Sequence, residues 1–467
     1  MAARRIHILR AGVETRSTET ADVTAVDGTP LAVMDMAPPL LATLTVADLR
    51  RLPSPDPVPA EVFAHAGDLF ATAELAGLGP REYCEHQARS AGIPIGVARR
   101  SLTDIAAVGG QIGSRVAAEA PAGTATAAEV APGAIEGVWV RRGDVLGVVA
   151  PGNNPGVHVQ WVLALALGYR LVLRPGSKDP FTPARLFAAL LAAGVPPDRL
   201  SLLPGPHPTG DAVIRAADRS LVFGGDDIAA RYATSRSVIL RGPGRSKLLQ
   251  TGEVTEEALA TICASVSHDA GMRCTNATAV FTDGDPAVLA DALADRLTGL
   301  AAAPPLSPDA QLPVLAADGA RTLRAYLESR LNGAVDVAAP RYARGPVADL
   351  GDGSAALRPA VLRCDRADHP GARIELPFPC VWVLPWRPED GMAPLRDTLS
   401  LTVLSGDPGL GTAALREPSI RKVLLGPLPT YSAGVTSPHD GYLGQDLMEV
   451  RGLGIAREGS QAWAGQS

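Results

Sequence analysis

From residue 145 to about 249 the chain alternates short apolar runs with segments whose apolar residues recur at helical spacing. Strands are expected at 145–150, 170–174, 200–203, 220–223 and 237–240, with helices at 183–193, 210–217 and 227–235 between them. Short connections between alternating strands and helices predict a parallel sheet covered on both faces. Each expected strand runs into a Pro/Gly-rich turn, the first being Pro151-Gly152-Asn153 and the fourth Gly224-Gly225-Asp226. Ligands of such sheets sit beyond the carboxyl ends of the strands, so five small-residue turns on one edge predict the mouth of a nucleotide site, although Gly and Pro also end elements with no ligand nearby.

Elsewhere the texture differs. Up to about residue 132 the pattern is mostly helical, most clearly at 80–118. Val138 and Val140, a turn at Arg142-Gly143-Asp144 and the run 145–150 predict a hairpin passing into a buried strand. A second alternation has helices at 256–267 and 286–297, and strands at 277–281, 360–363 and 381–384. Residues 301–353 read as loops around one helix at 319–331.

Composition narrows the function. The net charge of −6, with 20% charged and 46% apolar residues, gives no attraction to nucleic acid. No apolar run approaches the ~18 residues that span a bilayer, so no membrane role and a cytoplasmic address are expected. The five cysteines are widely spaced without a C-x-x-C, which argues against a disulfide framework or a metal site. Four read as small buried hydrophobes. Cys274 differs: it follows Asp269-Ala270-Gly271-Met272-Arg273 between an expected helix and strand, where a neighbouring cation and backbone N–H groups can stabilise a thiolate. Asn153, at the end of the first strand, offers an amide donor for a developing oxyanion, unless it only serves the turn.

Six segments, taken in order, resemble motifs of the aldehyde dehydrogenase superfamily. They are Pro151-Gly152-Asn153-Asn154-Pro155, Val172-Leu173-Arg174-Pro175-Gly176-Ser177, Leu202-Leu203-Pro204-Gly205, Phe223-Gly224-Gly225-Asp226, the run from Asp269 to Cys274, and Glu375-Leu376-Pro377-Phe378-Pro379. The resemblance covers roughly residues 135–385. It implies an α/β fold with a Rossmann-like cofactor domain (1–132 and 148–245), an α/β catalytic domain (246–440) and a small β oligomerisation extension (133–147 and 441–467). It further implies Cys274 as nucleophile, and Asn153 with the Cys274 N–H as oxyanion hole. Cofactor contacts would come from Pro151, Gly152, Arg174, Ser177, Lys178, Gly205, Gly224, Gly225 and Glu375, and the protein would be a homodimer or homotetramer.

Departures from the family pattern shape the expected reaction. Arg241 stands where the family has the carboxylate that activates water, and a guanidinium cannot accept that proton. The expectation is therefore the acylating branch, which includes bacterial fatty acyl-CoA reductases. An acyl thioester, from coenzyme A or a carrier protein and delivered by an acyl-activating enzyme or carrier protein as partner, would be reduced to an aldehyde. The alternatives are oxidation of an aldehyde to its acid with another base, Glu253 or Glu375, and an inactive assembly subunit. Ser177-Lys178 lacks the family's ribose-binding carboxylate, which favours NADP(H) over NAD(H). Asp226 and Asp227 would repel a phosphate and otherwise suit a helix start. Pro377 replaces a nicotinamide-packing Phe, with Phe378 able to compensate. His268 is a possible proton donor, and His158 reads as a helix-face residue.

Overall fold

The computed structural model describes residues 4–437 and 440–457. Two seven-stranded sheets form its frame. In the first, the strands run Val238–Arg241, Arg219–Phe223, Val145–Val149, Arg170–Arg174 and Leu200–Leu202, all parallel. Ile8–Arg10 then joins antiparallel to Leu200–Leu202, and Val13–Thr15 closes the edge. The central strands bury Leu146, Val148, Leu171, Leu173 and Leu221 completely. A strand apolar on both faces needs helices on both sides, and helices Phe181–Ala192 and His207–Ala216 are among those that cover it.

The second sheet runs Val335–Asp336, Ala360–Arg363, Cys380–Pro385, Ala277–Thr282, Ser246–Gln250, Thr398–Leu404 and Ile420–Leu425, parallel except for its first strand. Helices Glu256–Ser267 and Pro286–Leu297 lie where their spacing predicts. The first starts cleanly because the Thr255 side chain accepts the Ala258 N–H, and Glu256 and Glu257 complement the positive end of the helix. Residues 242–245 pass directly from the last strand of the first sheet, Val238–Arg241, to strand Ser246–Gln250 of the second.

Three expectations are corrected. Residues 301–353 hold, besides helix Ala317–Ser329, the strands Val314–Ala316, Val335–Asp336 and Val347–Asp349. Residues 4–35 are not helical: Arg5–Ile6, Ile8–Arg10, Val13–Thr15, Thr20–Thr24 and Pro30–Asp35 are strands, and helices begin at Pro39. The 135–150 segment is not a hairpin. Ile135–Arg141, half exposed, pairs instead with the C-terminal strand Met448–Gly454, while the fully apolar 145–149 run takes the centre of the first sheet. Burial on both faces decides between the two partners. Of the extension expected at 441–467, residues 458–467 lie outside the described residues. Among the described residues, no helix is long and apolar enough to cross a membrane.

Candidate active site

Cys274 occupies the turn between the short helical turn His268–Gly271 and strand Ala277–Thr282. Three successive residues before it adopt left-handed backbone: Asp269 (φ 47°), Ala270 (φ 61°) and Gly271 (φ 71°). Such a run costs free energy and persists only where its surroundings hold it. The Asp269 carboxylate, buried, accepts from Arg100 Nε at 3.0 Å and lies 3.3 Å from Arg273 Nε. Asn276, which sequence reasoning did not single out, takes the Arg273 N–H on its Oδ1 (2.8 Å) and donates from Nδ2 to the carbonyls of Ser265 (3.0 Å) and His268 (2.9 Å). A side chain at Gly271 would meet Pro379 N at 2.5 Å, so the turn is seated on the Phe378–Pro379 backbone. The crossing strand is as close: a Cβ at Gly244 would lie 1.7 Å from the Cys274 carbonyl oxygen, which also accepts from Ser246 Oγ at 3.1 Å.

The half-buried Cys274 opens on a cavity of about 550 Å³, lined also by Asn153, Gln160, Gly224, Gly225, Arg241, Arg245, Arg273, Glu375, Tyr431 and Asp440. Burial first, then the Asp440 and Glu375 carboxylates, push its thiol up to about 12, while Arg273 acts the other way. The resting residue is therefore a thiol. Asn153 Nδ2 donates to the Met272 carbonyl at 2.9 Å, which pins the amide beside the cysteine turn. Glu375 Oε2 accepts the Arg245 N–H at 2.8 Å; burial raises its pKa against that bond.

A second cavity, of about 610 Å³, lies at the carboxyl ends of the first sheet and shares Pro151, Asn153, Phe223 and Met272 with the first. Gly152, Arg174, Ser177, Lys178 and Pro377 line it, as do Asp211, Arg231 and Tyr232. Arg174, Lys178 and Arg231 set three cations against the single carboxylate of Asp211, a balance that suits an anionic ligand.

Other expected residues lie elsewhere. Gly205 lines neither of these two cavities; it packs against Ala37 and Thr209, and its carbonyl accepts from Arg174 Nε at 3.0 Å. Gly224 and Gly225 face the cysteine cavity rather than the second one. His268 lines neither and stacks on Tyr431 at 3.7 Å, with Arg273 Nη1 3.3 Å from its Nε2. His158 is wholly buried, its Nδ1 accepting from Trp161 Nε1, and its Nε2 lies 3.4 Å from Asp179. Phe378 is in the core and cannot replace a ring at the cavity; Pro377 alone lines it. Glu253 is exposed and outside the cysteine cavity, which removes it as a base. Asp226 forms an ion pair with Arg245, a cation that the sequence reading overlooked, so its charge is answered locally. Asp440 and Tyr431 were missed as well, because the Pro/Gly-rich tail between the last sheet strand and Met448 has no periodicity to draw attention to them.

A sequence profile described as the aldehyde dehydrogenase family matches residues 88–394. That span exceeds half of the chain and holds both the cysteine turn and the Asn153 turn. The chain belongs to the aldehyde dehydrogenase family.

Within this family, the chain is 29% identical over 153 residues to malonate-semialdehyde dehydrogenase 1 of Geobacillus kaustophilus (strain HTA426), covering 30% of this chain and 31% of that protein. It is 28% identical over 188 residues to betaine aldehyde dehydrogenase of Cereibacter sphaeroides (strain ATCC 17029 / ATH 2.4.9), covering 38% and 39%. The matches thus span about a third of the length of these curated relatives. The fold extends further. A solved indole-3-acetaldehyde dehydrogenase in complex with NAD+ superposes with a TM-score of 0.79, covering 96% of both chains at 19% identity. An NAD-dependent aldehyde dehydrogenase from Sinorhizobium meliloti superposes with a TM-score of 0.81 at 17% identity, covering 98% of this chain and 96% of that one.

Proposed function

We propose that this protein oxidises an aldehyde to its carboxylic acid with NADP+ or NAD+, through a covalent thioester on Cys274. The observation that carries this reading is the cysteine cavity meeting, at Asn153 and Met272, a cationic cavity at the ends of the first sheet. Pro151, Gly152, Arg174, Ser177 and Lys178 are the residues that would hold a nicotinamide dinucleotide there; the excess of cations fits its phosphates. Arg174 and Lys178 support a preference for the 2′-phosphate of NADP(H). Such a cofactor, when bound, supplies the hydride acceptor.

The chain's own residues do the rest. Cys274 Sγ, once deprotonated, attacks the aldehyde carbon. The oxyanion so formed would be received by the Cys274 N–H and by the Asn153 amide, which the Met272 carbonyl holds in place. Glu375, anchored by the Arg245 N–H, lines the cysteine cavity and supports positioning of the cofactor's reactive end there. Loss of hydride leaves the acyl group on sulfur, and water releases the acid. The matched relatives, named for malonate semialdehyde and betaine aldehyde, support this direction.

A second reading is reduction of an acyl thioester, with coenzyme A or a carrier thiol leaving. It is favoured by one observation: Arg241 stands in the cavity where the motif resemblance has a carboxylate. One experiment separates the two. The protein is incubated with NADP+ or NAD+ and a panel of aldehydes, without added thiol, and reduced cofactor, free acid and intact mass are followed. The proposal expects acid, an acyl adduct on Cys274, and neither from Cys274→Ala. Acid formation that survives Cys274→Ala would overturn it, and turnover only of acyl-CoA with NADPH would establish the second reading instead.

A further inference from the structure

The hydrolytic half of that reaction needs a base for water, and the sequence motif that supplies one in relatives is filled here by Arg241. Among the described residues lining the cysteine cavity there is no histidine, and the carboxylates are Asp226, Glu375 and Asp440. Asp226 is largely exposed and engaged by Arg245. Glu375 accepts the Arg245 N–H on one oxygen and lies beside the 242–245 connection. Asp440 is the third. It enters from the C-terminal tail and is mostly buried, and its Oδ2 lies 3.6 Å from Arg241 Nε. Arg241 is itself held by Gln160, to whose Oε1 its Nε donates at 3.2 Å.

We propose that Asp440, oriented by Arg241, is the general base that activates water against the acyl group on Cys274. The assignment rests on the hydrolytic reading above. In the step, the Asp440 carboxylate takes one proton from water as the water oxygen bonds to the acyl carbon. The carbon–sulfur bond then breaks, the sulfur recovers the proton, and the acid leaves with Asp440 again ionised; no oxidant or reductant is consumed. Arg241 acts as a positioning residue. Its guanidinium, 3.6 Å from Asp440 Oδ2, sets a positive charge beside the carboxylate at the cavity wall. Asp440 and Cys274 line the same cavity. The carboxylate is thus delivered to the cavity by a different segment from the strand end that carries Arg241.

The test separates acylation from hydrolysis in the full-length protein. Asp440→Asn should keep the first-turnover burst of reduced cofactor while steady-state acid formation falls about 10²- to 10⁴-fold, the usual scale of general-base catalysis. Intact mass should show the acyl adduct accumulating on Cys274, and hydroxylamine should restore turnover by attacking it without a base. Steady-state rates within threefold of wild type would overturn the assignment. So would loss of the burst together with the steady state in a variant that melts like wild type. If Asp440→Asn does not fold, Asp440→Glu and Asp440→Ser decide: the adduct should hydrolyse faster in the Glu variant, and equal rates overturn the proposal. A wild-type protein that gives neither burst nor acid with any aldehyde sinks the hydrolytic reading as well, which is a distinct result.

Discussion

Gly271→Ala probes how the cysteine turn is built. Gly271 has φ of 71°, and an added Cβ would sit 2.5 Å from Pro379 N and 2.6 Å from Phe378 C, both backbone atoms that cannot swing aside. Placing an L-residue in the left-handed region costs about 1–2 kcal/mol. Forcing a methyl into a packed contact adds about 1–3 kcal/mol, so the sum is roughly 2–5 kcal/mol. The natural control is Gly252→Ala: Gly252 has a similar φ of 73°, but a Cβ there meets nothing within 4 Å. The control carries the backbone cost alone. By thermal melting, Gly271→Ala should fall below Gly252→Ala by the packing cost, on the order of 2–10 °C for a domain-sized unit. Turnover should also separate them, because relieving the contact shifts the Cys274 turn, and a displacement of about 1 Å can cost 10²-fold in rate. Gly252→Ala should turn over normally. Equal melting temperatures and equal rates for the two variants would refute the claim that the Phe378–Pro379 backbone seats the nucleophile.

Two further predictions concern charge. With the Cys274 thiol pushed up to about 12, thiolate is the minor form throughout the physiological range, and it gains tenfold with each pH unit below that value. Iodoacetamide labelling of Cys274, followed by mass, should therefore climb about tenfold per unit from pH 7 to 10; a plateau below pH 9 contradicts the burial described. Lys178→Ala should raise KM for NADP+ about three- to fivefold at low salt, as fits a solvent-exposed charge, and leave KM for NAD+ nearly unchanged; equal effects on both would end the argument for the 2′-phosphate.

Much of the frame was legible because its elements are locally self-consistent. The strand Arg170–Arg174 and the helices Glu256–Ser267 and Pro286–Leu297 fall at their predicted bounds. Each has strong periodicity, and the two helices start at capping side chains, Thr255 and Asp285. What failed was pairing at a distance. Ile135–Arg141 finds its partner at Met448–Gly454, and nothing near residue 140 points there. Strands Thr398–Leu404 and Ile420–Leu425 were missed although the first alternates Thr and Ser with Leu and Val; it is buried along its whole length, so its polar positions mark no exposed face. In the site, Cys274 and Asn153 stood out through ordered motifs. Arg245 and Asp440 did not, since an ion pair between remote loops leaves no mark in either local sequence.

The tail that supplies Tyr431 and Asp440 is moored at both ends to different bodies. It leaves strand Ile420–Leu425 of the second sheet and ends where the Leu447 carbonyl accepts from Tyr169 and Arg219 takes the Asp446 carbonyl, beside the first. It therefore behaves as a tether across the cleft. A change in the spacing of the two sheets would pull on this tether and on the cavity wall that Tyr431 and Asp440 form beside Cys274. On the proposed reaction, nucleotide exchange and release of the acid would be geared to a single motion rather than to two independent doors.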